Sequence, residues 1–263
     1  MKNILDKIVE NKRLEVEQQK QEQSFACIQK QLDKFDITTT EGLFKSSLEN
    51  SPTGIIAEFK RKSPSRGWIF EQARVEDVIP QYSQHGASAI SVLTDTIFFG
   101  GTFDDFKNAR SLTSTPLLRK DFIVDEYQIY QAKLMGADAV LLIASVLTIS
   151  ETKQFAAKAN ELGMDVLLEI HNEKELDYVS DKVDVIGVNN RNLNTFVTDV
   201  QVSFDLADKI PDGFIKISES GISEAQTVID LRQVGFRGFL MGENFMKTEN
   251  PGQALDEFIC QLL

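Results

Sequence analysis

The chain has 263 residues, 42% hydrophobic and 26% charged, the composition of a globular protein with a sizeable core rather than a disordered, collagen-like or disulfide-stapled chain. A formal net charge of -12 disfavours a protein that grips a nucleic-acid backbone, which needs clustered Lys and Arg, but still permits a local cationic pocket for a small anion. Cys27 and Cys260 stand far apart and in no metal-binding spacing, which suits a reducing cytoplasm. Met1 and the residues up to Glu10 mix Lys2, Asp6, Lys7 and Glu10 into their apolar positions, so no signal peptide is expected. The longest near-apolar run, residues 139–147, is too short to span a bilayer.

In chain order, residues 3–23 read as a polar helix with Ile4, Ile8 and Val9 on one stripe, and Leu43, Phe44 and Leu48 give a second short amphipathic stretch. Pro52 and Gly54 then punctuate the chain. From there the texture alternates. Short apolar runs at 54–59, 89–93, 116–118, 139–143, 165–170, 185–188, 214–217 and 238–241 suit parallel strands covered on both faces. Amphipathic helices are predicted between them, among others at 75–85, 125–135, 150–162 and 223–234. Four of these helices end in a related way, at His85-Gly86-Ala87-Ser88, Met135-Gly136-Ala137-Asp138, Leu162-Gly163-Met164-Asp165 and Val234-Gly235-Phe236-Arg237. A glycine just past a helix takes the left-handed conformation that stops it. An open doubly wound sheet is the rival fold, but the Gly-x-Gly-x-x-Gly turn after a first strand is missing. Eight strands in about 210 residues favour a (β/α)8 TIM barrel. The expectation is one barrel domain over residues 1–263, with residues 1–50 as an N-terminal helical extension whose apolar stripe closes over the barrel mouth.

Catalytic groups of such a barrel belong at the C-terminal ends of its strands. Those ends carry Glu58 and Lys60, Thr94 and Asp95, Lys120 and Asp121, Glu169, Asn189-Asn190-Arg191, Ser218-Glu219-Ser220-Gly221 and Gly242-Glu243. Glu58 and Lys60 are two apart, so in extended chain they share a side. Lys120 ends an apolar strand and is a candidate proton donor or Schiff-base nucleophile, with an ammonium pKa lowered by desolvation. Glu169 is the matching candidate for a carboxyl group tuned upward. The glycine-bearing turns at Gly221 and Gly242 follow the seventh and eighth strands, the usual place for a barrel phosphate site built from backbone N–H groups. Glu243 fits there with its N–H on the anion and its carboxylate turned away. Two histidines, His85 and His171, cannot make a His-rich metal cluster, and His171 reads as a local hydrogen-bonding residue. A Ser–His–Asp triad lacks its nucleophile elbow. Trp68, Phe70, Phe98, Phe99 and Phe122 lie near strand ends, where together they would wall an aromatic substrate.

Residues 55–67, Ile-Ile-Ala-Glu-Phe-Lys-Arg-Lys-Ser-Pro-Ser-Arg-Gly, closely resemble the signature of the indole-3-glycerol-phosphate synthases. The likeness runs on through Ser91-Val92-Leu93-Thr94-Asp95, Phe98-Phe99-Gly100-Gly101, Leu118-Arg119-Lys120-Asp121-Phe122, Leu168-Glu169-Ile170-His171, Gly187-Val188-Asn189-Asn190-Arg191-Asn192-Leu193 and Ser218-Glu219-Ser220-Gly221-Ile222. Arg66 stands where that family commonly has lysine. The resemblance implies a tryptophan-pathway lyase of the cytoplasm that needs neither cofactor nor metal. Its substrate would be 1-(2-carboxyphenylamino)-1-deoxyribulose 5-phosphate, a small phosphosugar joined to an anthranilate, and no nucleic acid or membrane would take part. It also implies roles. Lys120 would be the general acid at the ketone oxygen and Glu169 the proton-transfer partner in dehydration. Lys60 would hold the carboxylate and share acid work, with Glu58 positioning it. Asn189, Arg191 and Glu219 would orient substrate and catalytic groups. Ser63, Ser220, Gly221, Gly242 and Glu243 would bind phosphate, while Phe99 and Phe122 would face the aromatic ring. A monomer or homodimer is expected. A Schiff-base aldolase acting through Lys120 and a non-catalytic anion-binding barrel are the rival readings.

Overall fold

In a computed structural model, which describes residues 3–34, 42–192 and 195–263, eight parallel strands close into a barrel. In chain order the strands are β1 (Ile55–Phe59), a small antiparallel hairpin of β2 (Lys62–Ser63) and β3 (Gly67–Trp68), then β4 (Ala89–Leu93), β5 (Leu117–Lys120), β6 (Ala139–Ile143), β7 (Asp165–Ile170), β8 (Val185–Asn189), β9 (Ile215–Glu219) and β10 (Phe236–Met241). The barrel closes where β1 pairs with both β4 and β10. The eight predicted strands are these eight, with ends shifted by no more than two residues. The hairpin was not anticipated, and β5 and β9 run two residues past their apolar runs to take in the polar Arg119, Lys120, Ser218 and Glu219 placed at the strand ends. Residues 35–41 of the extension, and Leu193 in the matched motif, lie outside the described residues.

The helices are α1 (Ile4–Glu22), α2 (Phe25–Leu32), α3 (Leu43–Glu49), α4 (Val75–Gln84), α5 (Thr96–Phe99), α6 (Phe103–Leu112), α7 (Tyr127–Leu134), α8 (Ile149–Glu161), α9 (Gln201–Leu206), α10 (Ala225–Gln233), α11 (Glu243–Met246) and α12 (Pro251–Ile259). The glycines that end the four predicted helices have φ between +69° and +94°, as the left-handed stop requires. Helix α1 begins on a capping box, with Asn3 and Asp6 each accepting the other's N–H. No described helix is long and apolar enough to cross a membrane.

Strand residues alternate between two cores. Ile55, Ala57 and Phe59 face the helices, whereas Ile56, Leu118, Leu141, Leu167, Val185 and Ile217 fill the barrel. Below, α3 plugs the interior with Phe44 and Leu48, both fully buried. Its N-cap, Gly42, offers no side chain, and Asp165 of β7 supplies the acceptor instead, taking the Lys45 N–H at 2.8 Å. Above, Ile4, Leu5 and Ile8 of α1 join the same interior core. The chain thus covers one end of the barrel and seals the other before β1 starts.

Candidate active site

The same period of two that packs the interior aims the polar strand ends. Counting by twos from Ile56 reaches Glu58 and Lys60, from Leu118 reaches Lys120, and from Leu167 reaches Glu169. From Val185 it reaches Asn189, and from Ile217 it reaches Glu219. All six line one cavity of about 420 Å³ at the C-terminal end of the barrel. Ser63, Phe99, Phe122, Arg191, Ser220, Gly221, Gly242 and Glu243 line it too, so the fold brings to one mouth every residue to which the resemblance gave a role. Of the five aromatic residues proposed as a wall, Phe99 and Phe122 face the cavity, their ring centroids 5.9 Å apart. Trp68 is exposed, stacked beneath the Lys62 ammonium, and Phe70 packs among the outer helices.

At the centre, the Lys120 ammonium donates to Glu219 at 2.5 Å and to Glu169 at 3.1 Å. Lys60 pairs with Glu58 alongside. The carboxylates Glu58, Glu169 and Glu219 are each about 2% exposed or less. Two neighbouring strands make room for them by omitting side chains. A Cβ on Gly187 would lie 2.3 Å from Glu219 Oε1, and one on Gly242 would lie 2.6 Å from Glu58 Oε1. Gly242 is therefore required by the close approach of Glu58, with φ at -127°, and not by a left-handed turn. The left-handed turn is at Ser220 and Gly221, with φ of +67° and +78°.

This packing corrects the electrostatics expected from the sequence. Burial alone would lower the pKa of Lys120, but Glu219, Glu169 and Glu58 outweigh it and hold the ammonium charged well above the usual lysine range. Burial likewise pushes Glu169 up, yet Lys120, His171 and Asn189 together hold it below the usual carboxylate range. The carboxyl group raised by its surroundings is Glu219. Burial and the nearby charges of Glu169 and Glu58 push it to about 7 against the pull of Lys120, and its Oε1 has no hydrogen-bond partner. His171, read from sequence as a local residue, sits between two carboxylates, with Nε2 3.3 Å from Glu169 and Nδ1 3.2 Å from Glu175. They raise its pKa to about 10 although burial opposes this. Its spacing of two from Glu169 was the one signal for this contact in the sequence.

The rim carries the cations. Arg191 donates to Ser65 at 3.1 Å and to Thr198 at 3.2 Å. The Glu243 carboxylate does not turn away from the mouth as expected. It lies 3.0 Å from Arg66 and 3.6 Å from Arg191, because two guanidinium groups reach it across the opening. Gly242, Glu243 and Asn244 at the start of α11 line the same cavity as the Ser220–Gly221 turn. Ile4, Leu5, Ile8, Phe196, Thr198 and Lys247 also line the cavity and were not proposed as site residues from sequence, although the α1 stripe was expected above the mouth. Among the described residues, no cluster of His, Cys, Asp and Glu is arranged to hold a metal.

The sequence model of the family described as indole-3-glycerol phosphate synthase matches residues 5–258. The chain belongs to that family. The indole-3-glycerol phosphate synthase of Bacteroides thetaiotaomicron is 52% identical over 259 residues, covering 98% of each chain. That of Bordetella pertussis is 40% identical over 262 residues, covering 99% of this chain and 100% of its own. Among solved structures, a tryptophan synthase complex from Pyrococcus furiosus superposes with a TM-score of 0.59 over 80% of this chain and 97% of that one, at 16% identity. KGPDC from Streptococcus mutans gives 0.59 over 79% and 96%, at 13% identity. At such identities the shared feature is the barrel. The synthase family match includes α1 almost from its first residue, so the helix over the mouth is part of the family's own span.

Proposed function

We propose that this chain carries out the reaction for which its family is named, with the work divided among the residues of the mouth as follows. The substrate is 1-(2-carboxyphenylamino)-1-deoxyribulose 5-phosphate, and the products are indole-3-glycerol phosphate, carbon dioxide and water. The observation that carries the reading is Lys120, an ammonium at the cavity centre held by Glu169 and Glu219. A Schiff-base nucleophile must be a neutral amine. Three carboxylates keep this one protonated, which favours an acid over an aldolase lysine.

Lys120 gives its proton to the ketone oxygen as the aromatic carbon attacks, so that no free alkoxide forms. Lys60 binds the substrate carboxylate, and Glu58 fixes its ammonium on the inward side. The carboxylate then leaves as carbon dioxide from a wall made apolar by Phe99, Phe122, Leu141 and Ile143. Loss of that charged group is easier where water is excluded. The new hydroxyl then leaves as water on a proton from Lys60, which shares the acid work, while Glu169, ionised beside His171, takes the proton from the neighbouring sugar carbon as the ring double bond forms. Glu219 and Asn189 orient Lys120 and Glu169. At the rim, Arg191, Ser63 and Ser220 with the N–H groups near Gly221 and Glu243 receive the phosphate.

Purified protein mixed with the substrate, without added metal, is expected to develop indole fluorescence. Lys120→Met should abolish most of it while still binding the substrate. Full turnover by that variant would refute the assignment.

A further inference from the structure

Lys12, in the middle of the apolar stripe of α1, is a buried charge that the proposed reaction does not use. Its neighbours on the stripe are Ile8 and Val16, and its side chain is fully buried. A lysine there is tolerated only when paired, and three carboxylates stand around its ammonium. The ammonium lies 2.9 Å from Glu15, 3.0 Å from Asp121 and 3.1 Å from Asp95. Glu15 is on the same helix. Asp95 and Asp121 come from the mouth ends of the adjacent strands β4 and β5.

Both partners lead to the site. Asp95 caps α5 by accepting the Phe98 N–H at 2.8 Å, and α5 carries Phe99. Asp121 follows Lys120 directly and accepts the Phe122 N–H at 2.8 Å. Its other oxygen takes Thr94 at 2.7 Å and Arg119 at 2.8 Å, and Arg119 in turn donates to the Gln128 carbonyl at 2.7 Å. Strand alternation sends Lys120 into the cavity, while its neighbours Arg119 and Asp121 bond to each other and to Thr94. The acid is thus bracketed by two fixed residues, and the cation that joins this bracket to the aromatic loop is on α1. Ile8, one turn before Lys12, lines the cavity with Ile4 and Leu5.

We propose that Lys12 is a positioning residue for the reaction. It ties the N-terminal helix to α5, which carries Phe99, and to the end of β5, where Lys120 and Phe122 flank Asp121, so that cavity roof, aromatic wall and acid are held as one unit. The proposal rests on the functional reading above.

The test uses the full chain, as wild type, Lys12→Met and Lys12→Arg, with hydrogen exchange and steady-state kinetics measured on each. In Lys12→Met, amides of α1 and of residues 95–99 should exchange about tenfold faster or more, with β6 to β8 unchanged. KM should rise, and kcat should fall by about 10–100-fold, as for a small misplacement of reacting groups. Lys12→Arg should recover most of both. Inhibition by inorganic phosphate, bound on the far rim, should be retained. If Lys12→Met does not fold, Asp95→Asn removes one charge of the cluster while keeping the cap acceptor, and the same changes are expected at smaller size. Kinetic constants within about twofold of wild type, or an equal loss of phosphate inhibition, would overturn the proposal. An inert wild type would instead refute the functional reading, and the exchange data would still test the latch.

Discussion

At the floor of the barrel, Asp138, Asp165 and Asp184 each accept a backbone N–H at 2.8 Å, from Leu117, Lys45 and Val166. At the mouth, Glu58, Glu169 and Glu219 face Lys60 and Lys120, and one oxygen of Glu219, packed against Gly187, has no hydrogen-bond partner. All but the half-buried Asp184 are buried carboxylates, on strands of one sheet or on the turns that lead into them. The floor uses fixed backbone donors, which do not titrate and define one geometry. The mouth uses side-chain ammonium groups, which carry protons, and leaves bonding capacity unfilled. Carboxylates that finish a fold and carboxylates that await a substrate differ in what they are bonded to, not in how deeply they are buried.

The comparison breaks most directly at Lys120. Lys120→Met is expected to lower kcat by about 10²–10⁴ with little change in the substrate dissociation constant. Lys60→Met should raise that constant and lower kcat less, and single-turnover kinetics would separate the two. At the floor, Asp138→Ala removes an acceptor used by both Leu117 N–H and Arg110. It should cost about 2–4 kcal/mol in denaturant unfolding and leave kcat unchanged.

A smaller effect distinguishes the two ends by pH. Burial, with Asp184 nearby, raises Asp165 to about 6 from an unfolded value of 3.8. Its stabilising contribution is therefore complete below about pH 3.8 and lost as pH rises through about 6. Asp165→Asn keeps an acceptor for Lys45 and has no proton to lose. The variant should gain roughly 1–2 kcal/mol on wild type between pH 4 and pH 7, measured by urea unfolding. At the mouth, His171→Asn removes a cation from Glu169, which then faces Lys120, Glu219 and Asn189 alone. Its pKa should rise, and the acid limb of kcat/KM should move to higher pH by up to about one unit. An unmoved limb would show that His171 only packs.

The barrel was legible because its evidence is local. Apolar runs, left-handed glycines after helices and polar residues at strand ends are each properties of a few consecutive residues. The site's membership followed, since a period of two along each strand aims Glu58, Lys120 and Glu219 inward. What eluded the sequence depends on which strands meet across the barrel. Lys120 reads as a desolvated amine until Glu58, Glu169 and Glu219 arrive from β1, β7 and β9. Glu169 loses the upward shift expected of it because Lys120 and His171 stand beside it, and the group that is raised is Glu219. Lys12 reads as another polar residue on a polar helix, since its partners lie 83 and 109 positions away. Arg66 and Arg191 converge on Glu243 from loops that the sequence separates widely.

Gly187 and Gly242 have a consequence for how such a barrel can change. Each is an absent side chain whose space a carboxylate from the next strand occupies. Enlarging either glycine evicts a charge, and shortening either glutamate alone opens a hole beside a lysine. The pairs Gly187–Glu219 and Gly242–Glu58 are thus bound to be strongly non-additive. A barrel of this kind drifts freely on its outer helices. Towards a new substrate it has to move two strands at once, and its history at these positions should be written in double substitutions.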